Sequence, residues 1–281
     1  MIEDFSFIDL EGTLHRRQFL SAAGAFGALL SLQARNAGAV PDLESGNSFA
    51  FEAGKAVPSL DDLLTKELSS RGTLSPYPAE VQKGKEIVAK CPVQQNPLNV
   101  AQFFADLRQG ELNAGLGSDA HLYGEEWPVR ANPVIVSFFD ATTLRTPTGD
   151  QTAWCAAFVN WCIVRSRQDR PDAQKLLPHT ASAASETFRT WGKKTESPRP
   201  GDIVVFQHKR EAWRGHVGFF VSQVSDGIYV LGGNQMPARA KLPDGTYERR
   251  NTGEINVNRM RVAGADLNFH SFRTDPSLHD Q

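Results

Sequence analysis

Apolar positions recur at helical spacing in two early stretches, 78–88 and 99–107, and predict two helices, the second ending near Gly110. The nearly unbroken apolar run Asn132-Pro133-Val134-Ile135-Val136-Ser137-Phe138-Phe139 fits a buried helix or a strand, and its length does not arbitrate between them. Helical spacing returns at about 153–167, where Trp154, Ala157, Phe158, Trp161 and Ile163 give a wide apolar face, and at about 180–191, ending at Gly192. The period then changes. The turn residues Pro198-Arg199-Pro200-Gly201 lead into a β-branched and aromatic run at 202–206, followed by strands at 216–221 and 228–231 about the turn Ser225-Asp226-Gly227. Helices followed by an antiparallel meander predict an α+β fold.

The N-terminal pattern differs from all of this. Arg16-Arg17-Gln18-Phe19-Leu20 precedes a run of small apolar residues, and Ala37-Gly38-Ala39 offers a small-x-small cleavage site. That order resembles a twin-arginine export signal, so 1–39 is read as a segment removed on export to the periplasm or beyond. The alternative is an amphipathic or buried helix whose two arginines are solvated. The apolar run is too short to span a bilayer, which takes roughly 20 residues. From 40 the chain is rich in Gly, Ser, Pro and acidic residues, with one short helix expected at 59–64. These signals divide the chain into a signal segment 1–39, a linker and helical region 40–115, a main domain 116–265 and a tail 266–281.

Composition narrows the functions. A 281-residue chain that is 40% hydrophobic can bury a real core. Its formal net charge of -2 supplies no basic surplus for nucleic acid, which is excluded as a partner. Oligomeric state leaves no signal in the sequence. Three cysteines, Cys91, Cys155 and Cys162, do not make a disulfide scaffold. On one helix Cys155 and Cys162 are about 10 Å apart along the axis, so any bridge would involve Cys91.

Cys155 stands near a helix start, with Thr152 the expected N-cap and Asp150 the competing cap. A helix N-terminus biases a thiol toward thiolate, although a free cysteine by itself is most often a small buried hydrophobe. His216 opens a strand after Gly215 and could take the thiol proton. Antiparallel partners carry numbers that sum to a constant, and setting His216 opposite Asn234 centres the hairpin at Ser225, inside the expected turn. Asn234 is therefore the first candidate to orient the imidazole, with Gln235 favoured if the centre shifts toward Asp226. Asp202 reads as a turn-stabilising residue. Cys162, Trp154, Trp161 and Trp191 read as core, while Trp213, in the loop before His216, is a candidate for the substrate groove. No metal-ligand spacing occurs and no cofactor is implied.

Taken together, Trp154-Cys155-Ala156-Ala157-Phe158-Val159-Asn160-Trp161-Cys162, Pro200-Gly201-Asp202-Ile203-Val204, Gly215-His216-Val217-Gly218 and Gly232-Gly233-Asn234-Gln235 resemble the CHAP family of cysteine peptidases and amidases, among the NlpC-type, papain-like peptidoglycan hydrolases. The resemblance covers roughly 120–262. It implies a papain-like core, with the cysteine's helix packed on an antiparallel sheet that carries the histidine. It also implies cleavage of peptide or amide bonds in cell-wall peptidoglycan through a thioester, with Cys155 as nucleophile, His216 as base and acid, and Asn234 as orienting residue. Many family members carry an oxyanion-binding glutamine directly before the cysteine, where this chain has Trp154. The Cys155 N–H, with Gln151 or Thr152 adding a side-chain donor, is the expected substitute. Two rival readings are a cell-wall binding module that keeps the fold without turnover, and an acyl-transfer or deamidating enzyme acting on another periplasmic substrate.

Overall fold

The structure, a computed structural model, describes residues 72–237 and 252–279. The twin-arginine-like segment 1–39 and the helix expected at 59–64 lie outside the described residues.

Both early helices form, each started by local chemistry. Helix α1, Pro78–Lys90, has proline at its first turn, and the Glu80 carboxylate accepts from the Tyr77 N–H at 2.7 Å. Helix α2, Pro97–Gln109, is capped by Asn96, which accepts from the Asn99 N–H at 2.9 Å, and is closed by Gly110 in the left-handed conformation. After a single turn, α3 (Asn113–Leu116), the ambiguous apolar run resolves as helix α4, Pro133–Ser137, continuing into a 3-10 turn at Phe138–Ala141. Asn132 decides this by capping the Val134 N–H at 2.9 Å ahead of a proline whose ring is already set for a helix.

Helix α5, Cys155–Ser166, is apolar around most of its circumference and is buried accordingly. Its Phe158 and Trp161 meet Phe104 of α2 and Phe138 in edge-on contacts at 5.1–6.1 Å between ring centres. α2 and α5 thus share one core. The helix expected at 180–191 shrinks to a 3-10 turn, Ser185–Arg189. Buried Asn160 of α5 captures the backbone ahead of it, accepting from the Thr180 N–H and donating to the Ser182 carbonyl, both at 2.9 Å. Ala181 between them takes a positive φ of 53°, which a helix does not allow.

The sheet has six antiparallel strands in the order β1-β6-β2-β3-β4-β5: β1 Lys193–Thr195, β2 Ile203–His208, β3 Gly215–Val224, β4 Gly227–Gln235, β5 Glu254–Arg261 and β6 Leu267–Thr274. The three strands read from sequence are β2, β3 and β4. Residues 267–274, assigned above to a tail, form β6, which pairs with β2 on one side and β1 on the other. Ile203, Val205, Val217, Phe219 and Leu231 join the core shared with the helices, while Val204, Phe206, Phe220, Ile228, Val230 and Phe272 form a second cluster. Asp202 anchors the entry to β2, accepting from the Arg199 N–H at 2.7 Å and pairing with His279 at 2.8 Å. The fold is α+β. No helix among the described residues is long and apolar enough to cross a membrane.

Candidate active site

Helix α5 begins at Cys155 itself, two residues later than expected, with Trp154 as a cap residue that makes no side-chain capping bond. Both expected caps are committed elsewhere. Thr152 Oγ1 accepts from the Thr148 N–H at 2.8 Å, and the fully buried Asp150 carboxylate accepts from the N–H groups of Trp127 (2.9 Å) and Asn132 (2.8 Å). Gln151 donates its amide to Asp150 at 3.1 Å.

Backbone groups of Val217, Ala156 and Cys155 itself favour the Cys155 thiolate. Cys155 and Val217, the residue that follows His216 in β3, belong to the same buried core. There β3 keeps its pairing with β2, where Val217 faces Val205 and His216 faces Phe206, whereas pairing with β4 extends only to Phe219 opposite Leu231.

Burial governs the protonation of both groups. It raises the Cys155 thiol above its ordinary value, outweighing the three backbone groups that favour the thiolate. It also pushes His216 down to about 4, opposed by the Gln235 side chain, which favours the charged imidazole. Burial thus works against the thiolate that the helix start favours, and toward an uncharged thiol and imidazole.

The hairpin register near the site follows the Ser225 centre, with Phe219 opposite Leu231 and Phe220 opposite Val230. Even so, Gln235 rather than Asn234 lies on the imidazole side, since one added Cβ at Gly232 would meet both the Gln235 amide and His216 Nε2. The reason lies in β4, which shifts register against β5 between Gly232 and Gln235, with Asn234 at a positive φ of 58°. One inserted residue reverses the facing of those beyond it. The Gln235 amide nitrogen is used by the carbonyls of Val230 (3.1 Å), Gly232 (3.1 Å) and Asn256 (2.8 Å), which leaves its oxygen to accept. His216 Nε2 is buried and makes no hydrogen bond.

Asn234 faces another way. Its amide donates to Glu126 Oε1 at 3.1 Å and accepts from the Trp154 N–H at 3.2 Å. Glu126 is 1% exposed, accepts the Trp154 indole N–H on Oε1 at 3.1 Å and accepts the Gly253 N–H on Oε2 at 2.8 Å. Glu126 was not foreseen, since a carboxylate before Trp127 gives no sign in sequence that it will be buried against a helix start. Trp154, with both N–H groups committed, is not free to bind an oxyanion. The two glycines before Asn234 fit these contacts. A Cβ at Gly233 would stand 2.2 Å from the Trp154 ring, and one at Gly232 would stand 3.4 Å from His216 Nε2 and 3.2 Å from the Gln235 amide.

Trp213 is 62% exposed in the β2–β3 loop, with the Arg214 guanidinium 5.8 Å from its ring centre. Cys162 is fully buried, Trp161 and Trp191 nearly so, and all three cysteines are free thiols.

Comparison with family models matches residues 147–234 to the CHAP domain, a span that holds Cys155, His216 and Asn234 and ends one residue before Gln235. No curated protein and no solved structure matches the chain.

Proposed function

We propose, starting from the CHAP domain that this chain carries over residues 147–234, that the protein is a cysteine hydrolase cleaving a peptide or amide bond in bacterial cell-wall peptidoglycan. The observation that carries this reading is the close packing of Gly233 on the ring of Trp154, which precedes Cys155, beside that of Gly232 against His216 Nε2, which brings the start of α5 and the histidine to the same end of β4. In this reading the helix and sheet form a papain-like core, with Cys155 as nucleophile, His216 as base and acid, and Gln235 in place of Asn234 as the orienting residue.

The chemistry follows from neutral partners. Cys155 attacks the substrate carbonyl as its proton passes to His216, forming a C–S bond and an oxyanion. Collapse expels the amine, which takes that proton from His216, and leaves a thioester on Cys155. Water, deprotonated by His216, attacks the thioester, and the carboxylate and thiol are released. The Cys155 N–H, at the first position of the helix, is the leading oxyanion donor, and the Thr152 hydroxyl is the nearer supplement because the Gln151 amide is held by Asp150. Exposed Trp213 supplies a stacking surface beside the strand that bears His216.

Digestion of purified sacculi tests the reading. The wild-type chain releases soluble muropeptides and Cys155→Ala does not, while product masses identify the bond cut and separate peptidoglycan cleavage from acyl transfer or deamidation of another substrate. The near-complete burial of Cys155 (5% exposed) and His216 (8% exposed) favours one rival, a cell-wall binding module without turnover. That rival predicts sacculus binding that survives Cys155→Ala, with no release by either protein. Export through the twin-arginine-like segment belongs to the same proposal, and a reporter fusion whose export is indifferent to Arg16→Lys with Arg17→Lys would refute it.

A further inference from the structure

Glu126, from a loop outside the two elements that bear Cys155 and His216, connects the flanks of both halves of the site. Its Oε1 receives the Trp154 indole N–H and the Asn234 amide at 3.1 Å each, its Oε2 receives the Gly253 N–H at 2.8 Å, and its own N–H returns to the Gly253 carbonyl at 2.8 Å. Asn234 completes the loop by accepting from the Trp154 backbone N–H. Trp154 immediately precedes Cys155, and Asn234 immediately precedes Gln235, whose amide lies with His216 Nε2 against Gly232. The carboxylate is buried, so each of these bonds is charge-assisted and acts in a medium of low dielectric.

We infer that Glu126 and Asn234 act together as a positioning clamp, which locks the start of α5 to the bulged end of β4 and so sets the Cys155 thiol relative to the His216 imidazole. Neither residue touches substrate. The backbone explains why a clamp is needed here. Asn234 holds a left-handed conformation that costs a non-glycine residue free energy, and its side-chain bonds to Glu126 and Trp154 offset that cost while fixing which way Gln235 points. The inference rests on the hydrolase reading for its catalytic consequence, although the clamp itself is a property of the folded chain.

The test is a rescue. Asn234→Asp keeps an acceptor for the Trp154 N–H but sets a second carboxylate against Glu126. Glu126→Gln in the same chain removes that repulsion and supplies an amide donor. The clamp predicts that Asn234→Asp lowers kcat roughly a hundredfold with little change in KM, and that adding Glu126→Gln recovers roughly tenfold of it. Asn234→Ala, which lacks the charge, should gain nothing from Glu126→Gln. All variants are assayed well below their melting temperatures, with release of muropeptides and the rate and pH profile of iodoacetamide alkylation at Cys155 measured in parallel. A wild-type chain inert on sacculi whose alkylation still shows the rescue keeps the clamp and discards the hydrolase. Wild-type turnover with no rescue in either readout, or with equal rescue of Asn234→Ala, overturns the clamp.

Discussion

The side chain of Asn234 accepts from the backbone N–H of Trp154 at 3.2 Å, so the end of β4 is tied to the residue immediately before Cys155. Backbone groups of both α5 and β3 favour the thiolate of that cysteine. Desolvation still outweighs them. A buried cysteine and a buried histidine that burial drives toward their uncharged forms transfer a proton during attack, and do not store an ion pair beforehand.

That arrangement fixes the pH dependence of activity. His216 is pushed down to about 4 by burial, against the Gln235 side chain, so the acid limb of kcat/KM should fall near that value and far below the ordinary histidine range. Gln235→Leu removes an acceptor that favours the charged imidazole, so the limb should move to still lower pH as kcat drops. Asn234→Ala should leave the limb where it is. A limb between 6 and 7 would refute burial as the control on His216, and a limb that moves with Asn234 alone would refute the assignment of Gln235.

Gly233 carries a steric prediction. A methyl group there would press on the Trp154 ring, which is itself fixed by Glu126 and packed near Phe138 and Phe158. Gly233→Ala should cost about 1–3 kcal/mol of stability, read from urea denaturation. Gly115→Ala is the control, since its added methyl would meet nothing within 4 Å.

Asp150 makes stability pH-dependent in a defined direction. Burial, then the neighbouring Glu126 carboxylate, raise its pKa to about 8 despite hydrogen bonds from Trp127, Asn132 and Gln151. The folded chain then keeps a proton that the unfolded chain releases near 3.9, so this stabilisation is complete below that value and is lost as pH rises through 8. His216 contributes oppositely. Its folded value of about 4 lies below the unfolded 6.5, so that stabilisation is present above 6.5 and is lost as pH falls through 4. Melting temperatures of Asp150→Asn should decline less between pH 5 and 9 than those of the wild type, and an unchanged slope would remove Asp150 as the source.

Much of the site was legible because local chemistry there agrees with the tertiary structure. The periodicity of α1, α2 and α5 marked helices, and the Ser225-Asp226-Gly227 turn placed β3 and β4 in register near His216. What escaped was decided by distant partners. Asn160 unmade a helix at 180–184 by capturing its backbone, and Asp150 and Thr152 were drawn off to other N–H groups, so α5 begins at Cys155. Asn234 faces Glu126 and Trp154 because one positive φ reverses strand alternation, which hairpin arithmetic assumes to be unbroken. β5 and β6 alternate polar residues with few large apolar ones, which hid them even though Gly253, Gly264 and Pro276 bracket their ends.

The central claim is that Cys155 forms a thioester with substrate. Sacculi are digested with the wild-type chain and with His216→Ala, quenched in acid at short times, and the peptide that contains Cys155 is weighed by mass spectrometry. A catalytic Cys155 predicts a muropeptide fragment attached to that peptide in the wild type, labile to hydroxylamine, and much reduced in His216→Ala. Release of soluble muropeptides with no adduct at Cys155, and at an equal rate from Cys155→Ala, would contradict it.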